Sequence, residues 1–346
     1  MPDTAFDSRQ IARQRVAESE NMASIDISVV VPTYRRPDLL QRCLAGLLAQ
    51  DIAPNRFEII VCDDGPDAAT QKLVETTALC VGDRGPHVEY IAVTATQGPA
   101  GARNCGWRRA RAPVIAFTDD DTIPDAGWLR EGWYAMKPGI SAAAGRIEVP
   151  LPAAPTDYEL DAAGLARAEF ATANCFVRKC VLERIGGFDE RYTSAWREDS
   201  DLQFAILAAD GIIVRADTAV IVHPVRAGRW AISISQQRKS RFDALLRRKY
   251  PALYKQRIRR SPPWLYYAIV SCLAIGLSGL ARGEGAMALA GCAGWLVLTG
   301  VFAARRLRHT AHTASHVMEM LWTSIIIPPL SVFWRIHGAL TFGMRL

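Results

Sequence analysis

The stretch that decides the fold is FTDDDTIPDAGWL, residues 117–129, in which three aspartates follow the apolar run 114–117. Adjacent carboxylates repel one another, and a low-dielectric neighbourhood strengthens that repulsion. A divalent cation relieves it, because Mg²⁺ and Mn²⁺ prefer oxygen ligands and leave positions for water and phosphates. Asp119 and Asp121 stand two residues apart, so an extended backbone points both side chains the same way. The triplet therefore predicts a Mg²⁺ or Mn²⁺ site, and the alternative is a solvated acidic loop that caps the helix beginning at Trp128.

The sequence around this stretch alternates between strand and helix patterns. Short apolar runs predict strands at 27–31, 57–62, 88–93 and 114–117, with helices between them. This order argues for an α/β fold, a Rossmann-like, mostly parallel sheet flanked by helices on both faces. Ligands bind such sheets beyond the carboxyl ends of the strands. The polar clusters fall at those ends: Pro32, Thr33, Tyr34 and Arg35 after the first strand, Asp63 and Asp64 after the second, and the aspartate triplet after the fourth.

Two nucleotide-binding signatures are absent from the sequence. Neither the dinucleotide fingerprint G-x-G-x-x-G nor the P-loop G-x-x-x-x-G-K-[ST] occurs in it. Phosphates must then be held by a metal and by side chains rather than by a glycine cradle. This argues against a Rossmann dehydrogenase and against a P-loop NTPase.

The C-terminal third combines basic and apolar segments. The net charge of +6 comes largely from the basic block 238–260, and two uncharged runs follow it, 264–280 and 286–304. Each run is close to the ~20 residues that cross a bilayer. Because basic residues flank the outer ends of the pair, the pattern predicts a membrane hairpin with both ends cytoplasmic and no role for nucleic acid. The alternative is a pair of buried helices in a soluble core.

Further segments complete the predicted organisation. Gly276, Gly279, Gly291 and Gly294 would let the two helices of the hairpin approach closely. A third apolar stretch, 317–334, could span the membrane, re-enter it or lie in its interface. Residues 1–24 are polar and lack the apolar core of a signal peptide, so we expect a membrane protein whose catalytic domain is cytoplasmic. The predicted domains are the extension 1–24, a catalytic domain 25–260 with halves 25–125 and 126–260, and a membrane-associated region 261–346.

Six motifs stand in a characteristic order: VVPTYRRPDLL at 30–40, EIIVCDDGPD at 58–67, TQGPAGARNCGW at 96–107, FTDDDTIPDAGWL at 117–129, ATANCFVRKCVLERIGGFDERYT at 171–193 and WREDSDLQFAIL at 196–207. With these motifs, about 225 residues from Ile25 to Tyr250 resemble the family-2 glycosyltransferases of the A-type nucleotide-sugar fold. The resemblance implies transfer of a sugar from a nucleotide-diphosphate sugar to a hydroxyl group.

The resemblance also implies roles for the donor-side residues. Asp63 or Asp64 would bind the base or the ribose, although a strand-end aspartate also caps its own turn. Arg103 would meet the diphosphate, because a guanidinium binds two oxygens at once. Asp121, helped by Asp119, would hold the metal, and His223 is a further candidate ligand or else a structural histidine. The predicted donor-binding residues are Pro32, Thr33, Tyr34, Arg35, Asp63, Asp64, Gly98, Arg103, Asp119 and Asp120.

Asp199 is the predicted general base on the acceptor side. A carboxylate within reach of the acceptor hydroxyl can remove its proton, and the neighbouring Glu198 raises the pKa of such a base. The alternative is that both acids merely open a helix, where the dipole favours negative charge. Trp196 offers a flat surface for a sugar ring. The predicted acceptor-binding residues are Trp196, Glu198, Arg238 and Arg241.

Two departures from the family pattern refine the prediction. Processive members carry Gln-x-x-Arg-Trp, whereas residues 236–242 read QQRKSRF, which favours transfer of a single sugar. The usual Asp-Asp-Gly-Ser reads Asp-Asp-Gly-Pro at 63–66, which removes one hydroxyl. We therefore expect a membrane-anchored, metal-dependent, inverting and non-processive glycosyltransferase, and anchoring favours a lipid-linked or cell-envelope acceptor. The alternatives are a nucleotide-sugar-binding scaffold without catalysis and a sugar nucleotidyltransferase.

Overall fold

The computed structural model describes residues 25–95 and 98–343, so the predicted extension 1–24 lies outside the described residues. Contacts divide the chain into two compact units, one of Met1–Glu148 with Glu169–His223 and one of Val149–Ala168 with Pro224–Leu346. We call them the sheet unit and the helical unit. The predicted domains have their boundary at residue 260 instead, and this functional division stays a prediction.

The secondary structure follows the alternating pattern through the sheet unit and becomes helical afterwards. In chain order the elements are β1 Ile27–Thr33, α1 Pro37–Leu48, β2 Phe57–Asp63, α2 Ala68–Val81, β3 His87–Ala92, α3 Pro99–Arg109, β4 Val114–Thr118, β5 Ile123–Pro124, α4 Trp128–Ala135, β6 Ala142–Glu148, α5 Asp157–Ala162, β7 Asn174–Arg178, α6 Lys179–Ile185, α7 Glu198–Ala208, β8 Ile213–Val222, α8 Ile232–Gln236, α9 Phe242–Lys249, α10 Pro251–Leu253, α11 Trp264–Arg282, α12 Gly285–Leu307 and α13 Ala314–Thr341.

Within the described residues, eight strands form one mixed sheet in the order β3-β2-β1-β4-β7-β6-β8-β5. The four strands predicted from the sequence, β1 to β4, are the parallel part, and β1 and β2 are buried along their whole length. The remaining strands mix directions, because β7 runs antiparallel to both β4 and β6 while β6 and β8 are parallel. The predicted α/β sheet flanked by helices is confirmed, and its second half is mixed rather than parallel.

The sheet brings its polar strand ends to one edge. Thr33, at the end of β1, is paired with Asp63, at the end of β2, and β4 ends one residue before the aspartate triplet. The short strand β5 pairs with the end of β8, with Ile123 opposite Val222. Because of this pairing, His223, which follows β8, lies beside the aspartate triplet, although about a hundred residues of chain separate them.

The helical unit holds the predicted apolar segments. Within the described residues, α11, α12 and α13 are each long and apolar enough to cross a membrane. The first two correspond to the predicted hairpin, and the third stretch is a continuous helix of 28 residues. Glycines bring α11 and α12 together, since a Cβ on Gly279 would lie 2.4 Å from the backbone nitrogen of Ala288. A Cβ on Gly291 would lie similarly close to the backbone of Gly276.

Candidate functional site

The turn that carries the aspartate triplet is fixed by two threonines. Thr122 donates a hydrogen bond from Oγ1 to the carbonyl oxygen of Asp119 at 2.8 Å. The hydroxyls of Thr118 and Thr122 are 2.7 Å apart, and Thr118 also bonds to the carbonyl oxygen of Ala173 on the neighbouring chain segment. The three aspartates therefore leave the turn in defined directions.

Asp120 points back into the protein. Its side chain is fully buried, accepts a hydrogen bond from Thr33 Oγ1 at 2.7 Å and pairs with Arg36 Nη2 at 2.8 Å. Burial raises the pKa of the Asp120 carboxyl to about 6, against the opposing charge of Arg36. A buried carboxylate needs partners of this kind, and Asp120 joins the triplet to the end of β1. Its predicted contact with the donor stays a prediction.

Asp119, Asp121 and His223 converge at the edge of the sheet. One ligand atom from each side chain lies within 4.8 Å of the others, and His223 Nε2 is 3.4 Å from Asp121 Oδ1. Two carboxylate oxygens and an imidazole nitrogen suit Mn²⁺, and the carboxylates also suit Mg²⁺. Three protein ligands leave positions for the oxygens of a substrate. These residues therefore fit the predicted divalent metal.

Arg103 joins the triplet to a second acidic motif. Its side chain is almost fully buried, and Nη2 donates to Asp119 Oδ1 at 2.7 Å while Nη1 donates to Glu198 Oε1 at 3.3 Å. Burial alone would raise the pKa of Asp119, but the positive groups around it, Arg103 first and then His223 and Arg36, together keep the pKa below its ordinary value. Arg103, which the sequence predicts to contact the diphosphate, thus binds two carboxylates from motifs about eighty residues apart in the chain.

Glu198 and Asp199 are the first two residues of α7. Both acids therefore lie where a helix dipole favours negative charge, the alternative role that the sequence offers for them. Glu198 is buried, and burial together with the Asp199 charge raises its pKa to about 7. Asp199 is half-buried, and its Oδ1 accepts hydrogen bonds from the Ser200 backbone nitrogen at 2.6 Å and from Ser200 Oγ at 3.3 Å. Burial raises the pKa of Asp199 too, against these hydrogen bonds. A raised pKa makes a carboxylate a better base.

An aromatic side chain stands next to this acidic pair. Trp196 is 37% exposed, and the Arg197 guanidinium lies 4.7 Å from the centre of its ring. Arg197 has a φ of +74°, a left-handed conformation that is costly for a residue with a side chain. Such strain is found at functional sites, where the surrounding structure maintains it. Trp196 is thus partly exposed beside the acidic pair, and its contact with an acceptor sugar stays a prediction.

The end of β2 carries two aspartates with different surroundings. Asp63 is buried, and it accepts hydrogen bonds from the Gly65 backbone nitrogen at 3.1 Å and from the Tyr90 hydroxyl at 3.0 Å. Asp63 therefore makes the turn-capping bond that the sequence offers as an alternative role. Asp64 is half-buried, both of its oxygens lie 2.8 Å from the Gly98 backbone nitrogen, and burial raises its pKa.

The two adjacent arginines after β1, Arg35 and Arg36, contact different groups. Pro32 and Thr33 are buried at the end of the strand, whereas Tyr34 is 47% exposed. Arg35 has a φ of +51° and its guanidinium lies 5.4 Å from the centre of the Tyr34 ring. Arg36 reaches the aspartate triplet instead, which sequence reasoning missed because two adjacent arginines cannot be distinguished by type.

Asn104 is a second residue that sequence reasoning missed. It donates from Nδ2 to the carbonyl oxygen of Phe188 and to Glu190 Oε1, both at 2.8 Å, and it accepts from the Phe188 nitrogen. A Cβ on Gly187 would lie 2.6 Å from Asn104 Oδ1, so this approach needs glycine. Asn104 thus fastens the Ala-Arg-Asn motif to the Gly-Gly-Phe-Asp-Glu motif, and its place beside Arg103 in the sequence was the available signal.

The remaining predicted acceptor residues lie in the helical unit. Arg238 and Arg241 belong to the 3₁₀ turn Gln237–Arg241, directly before α9. A Cβ on Gly338 of α13 would lie 2.4 Å from the carbonyl oxygen of Arg241, so this turn packs tightly on the third apolar helix. Their role in binding an acceptor stays a prediction.

The chain is similar in sequence to known glycosyltransferases. Residues 28–159 match the model of "Glycosyl transferase family 2". The chain is 24% identical over 212 residues to the glycosyltransferase AglE of Haloferax volcanii, a match that covers 58% of this chain and 67% of that protein. It is 27% identical over 221 residues to the validoxylamine A glucosyltransferase of Streptomyces hygroscopicus subsp. limoneus. That second match covers 53% of this chain and about half, 48%, of the relative.

Solved structures support the fold. The mannosyltransferase PcManGT from Pyrobaculum calidifontis, in complex with GDP-Man and Mn²⁺, superimposes with a TM-score of 0.52 at 16% identity, covering 95% of this chain and 94% of that one. A structure of S. aureus TarS in complex with UDP-GlcNAc gives a TM-score of 0.50 at 16% identity, covering 90% and 92%. Together with the motifs, the family match identifies residues 28–159 as a glycosyltransferase family 2 domain, in a chain that also carries candidate membrane helices at its C-terminal end.

Proposed function

We propose that this glycosyltransferase is membrane-anchored, metal-dependent, inverting and non-processive. It transfers a sugar from a nucleotide-diphosphate donor to a hydroxyl acceptor that is lipid-linked or part of a cell-envelope glycan. The observation that carries the proposal is the pair of hydrogen bonds from Arg103 to Asp119 and Glu198. Through them one buried side chain connects Asp119, a proposed metal ligand, with Glu198, the residue next to the proposed base Asp199.

The acceptor side supplies the proton chemistry. Asp199 accepts the proton of the acceptor hydroxyl while that oxygen attacks the anomeric carbon from the face opposite the leaving diphosphate. A single displacement of this kind inverts the configuration at that carbon and needs no protein nucleophile. Glu198 adds a negative charge next to Asp199 and so favours proton uptake. The exposed face of Trp196 is suited to packing against a sugar ring.

The donor side must stabilise the negative charge that develops on the leaving nucleotide. A divalent ion held by Asp119, Asp121 and His223 would supply Lewis-acid stabilisation of the diphosphate when bound. Asp63, Asp64 and Tyr34 are the residues that we assign to the nucleoside part. Arg103 orients Asp119 for this role, because its guanidinium fixes one carboxylate oxygen.

The ligands of the two similar solved structures suggest which nucleotide sugars to test as donors. One neighbour was solved with GDP-Man and the other with UDP-GlcNAc, so these two nucleotide sugars are the first donors to test. Membrane anchoring rests on the three apolar helices of the helical unit. A catalytic domain anchored on the cytoplasmic side would meet its acceptor at the bilayer, which favours a lipid-linked acceptor.

The deciding experiment uses membranes that contain the full-length chain. They are incubated with radiolabelled GDP-Man or UDP-GlcNAc, with Mn²⁺ and with excess chelator, and the lipid fraction is analysed for labelled product. Membranes that contain the Asp199→Asn variant are the matched control, since they retain the donor site. Label in the lipid fraction that depends on Mn²⁺ and on Asp199 supports the proposal. Nucleotide-sugar binding without any product would instead favour a non-catalytic scaffold.

A further inference from the structure

The helical unit contains a cavity of about 210 Å³. None of the residues that line it belongs to the proposed transfer site. Its wall comes from the beginning of α5, from the first residues of α8 and the loop before them, and from the first two turns of α13. The lining residues used below are Asp157, Tyr158, Gly228, His316 and Glu319.

Most polar groups of this wall already have protein partners. Asp157 Oδ2 accepts a hydrogen bond from Arg306 Nη2 at 2.7 Å, and Arg306 is itself nearly buried. Glu319 Oε1 accepts a hydrogen bond from the backbone nitrogen of Ala231 at 2.8 Å. The ring of Tyr158 packs on Gly228, where a Cβ would lie 2.7 Å from it. The cavity is therefore bounded by fixed groups.

His316 is the exception among these polar groups. It is 5% exposed, and its Nδ1 has no hydrogen-bond partner among the described residues. Its Nε2 lies 3.4 Å from the backbone nitrogen of Asp157, which can only donate, so Nε2 is the acceptor and the proton is on Nδ1. The nearest carboxylate oxygen, Glu319 Oε2, is 3.6 Å from Nδ1, too far for a direct hydrogen bond.

The cavity wall thus presents a hydrogen-bond donor, the Nδ1–H group of His316, next to a hydrogen-bond acceptor, the carboxylate of Glu319. A cation would be repelled by the Nδ1–H group, and an anion would be repelled by the Glu319 carboxylate. A hydroxyl group satisfies both, because it accepts from His316 and donates to Glu319. The cavity has room for about seven waters at ~30 Å³ each, which exceeds the space that one hydroxyl needs. We propose that this cavity binds a polyol or sugar group through a hydroxyl placed between His316 and Glu319.

The position of the cavity in α13 indicates where such a group comes from. His316 and Glu319 lie in the first two turns of a candidate membrane helix, and the first three turns expose Met318 and Trp322, at 60% and 51%. Exposed aromatic and apolar residues at a helix end are typical of the head-group level of a bilayer. A sugar group can reach this level on a glycolipid or as a free saccharide.

The test measures binding and does not depend on the transfer reaction. The full-length chain is placed in phosphatidylcholine nanodiscs, with and without glucosyl diacylglycerol, and a further sample receives free glucose. We expect a sugar-bearing probe to raise the melting temperature and to shift the ¹⁵N resonances of one buried imidazole. Glu319→Gln, which retains the bond to Ala231, is expected to weaken binding about tenfold, as the loss of one hydrogen bond to a charged group does.

The control variant is His309→Gln, an exposed histidine outside the cavity, and it is expected to bind like the unmodified chain. Binding of the glycolipid alone identifies a membrane source, whereas binding of free glucose as well identifies a soluble sugar as sufficient. The proposal is overturned if neither probe binds, or if Glu319→Gln binds as well as the unmodified chain. The first result means that the cavity holds water only, and the second means that the sugar binds without the hydroxyl contact to Glu319.

Discussion

The sheet unit and the helical unit differ in how much charge they bury. The sheet unit buries charged side chains in its interior, where Arg103 lies between Asp119 and Glu198 and Asp120 pairs with Arg36. The long helices of the helical unit are mostly uncharged, with a few ionic groups such as Arg306, which pairs with Asp157, and glycines bring α11 and α12 together. Buried charges are costly unless they are paired, so their retention in the sheet unit points to chemistry rather than to stability. Variants that change charge should therefore affect activity, and variants that change size in the helices should affect stability.

The largest effect is expected at Asp121. Asp121→Asn removes one charged ligand of the proposed metal site, so we expect transfer to fall by roughly 10³-fold. Calorimetric titration with Mn²⁺ should also show weakened binding. Asp125→Asn is the matched control, because Asp125 is an exposed aspartate just after the triplet. Full activity of the unmodified chain in excess chelator would contradict the metal assignment.

Asp199→Asn is expected to reduce kcat by roughly 10²-fold or more, because a general base acts in the transition state. The affinity for the donor should change little, as equilibrium binding of the nucleotide sugar can test. Asp217→Asn changes an exposed aspartate of β8 and should leave both quantities unchanged. Loss of donor binding together with activity would move Asp199 to the donor site.

Arg103→Lys tests the connection between the two acidic motifs. A lysine cannot hold two carboxylates with a planar fork, so we expect kcat/KM to fall by roughly tenfold to a hundredfold. Arg109→Lys, on the exposed side of the same helix, is the control. If Arg103 couples the motifs, the effects of Arg103→Lys and Glu198→Gln should be non-additive in a double-mutant cycle. Strict additivity would mean that the two motifs act independently.

The pH dependence of kcat tests the acidic pair. Asp199 works in its deprotonated form, and its pKa is raised, so kcat should fall as the pH drops through that raised value. Glu198→Gln removes the neighbouring negative charge and should move this acid limb to lower pH by about one unit. The measurement is kcat against pH for both proteins, restricted to the range in which they stay folded. If kcat falls at the same pH in both proteins, Glu198 does not change the pKa of Asp199.

The smallest effect on activity is expected from the helical unit. Gly279→Leu places a side chain where the backbone of α12 approaches within 2.4 Å, so the two helices must separate. Overpacking of this kind costs roughly 1–3 kcal/mol, which should lower the melting temperature in detergent while kcat changes little. Gly300→Leu is the control, because a Cβ there has nothing within 4 Å. Equal melting temperatures for both variants would argue against the glycine-mediated contact.

Local patterns explain why much of the molecule could be predicted. The strands β1 to β4 are short apolar runs, and the apolar helices are long uncharged runs, so composition and periodicity over a few residues suffice. The aspartate triplet follows β4 directly, and parallel strands bring their polar ends to one edge. The antiparallel entry of β7 was not predictable, because strand direction depends on long-range pairing.

The sequence by itself determined the α/β class, the acidic motifs and the apolar helices, since each depends on residues that are neighbours in the chain. Only the tertiary structure decided which of these residues meet. The pairing of β5 with β8 brings His223 to Asp121, and the packing of α3 brings Arg103 between Asp119 and Glu198. The physical reason is that a buried charge is stable only beside its partner, and that partner comes from whichever distant segment the sheet topology places next to it.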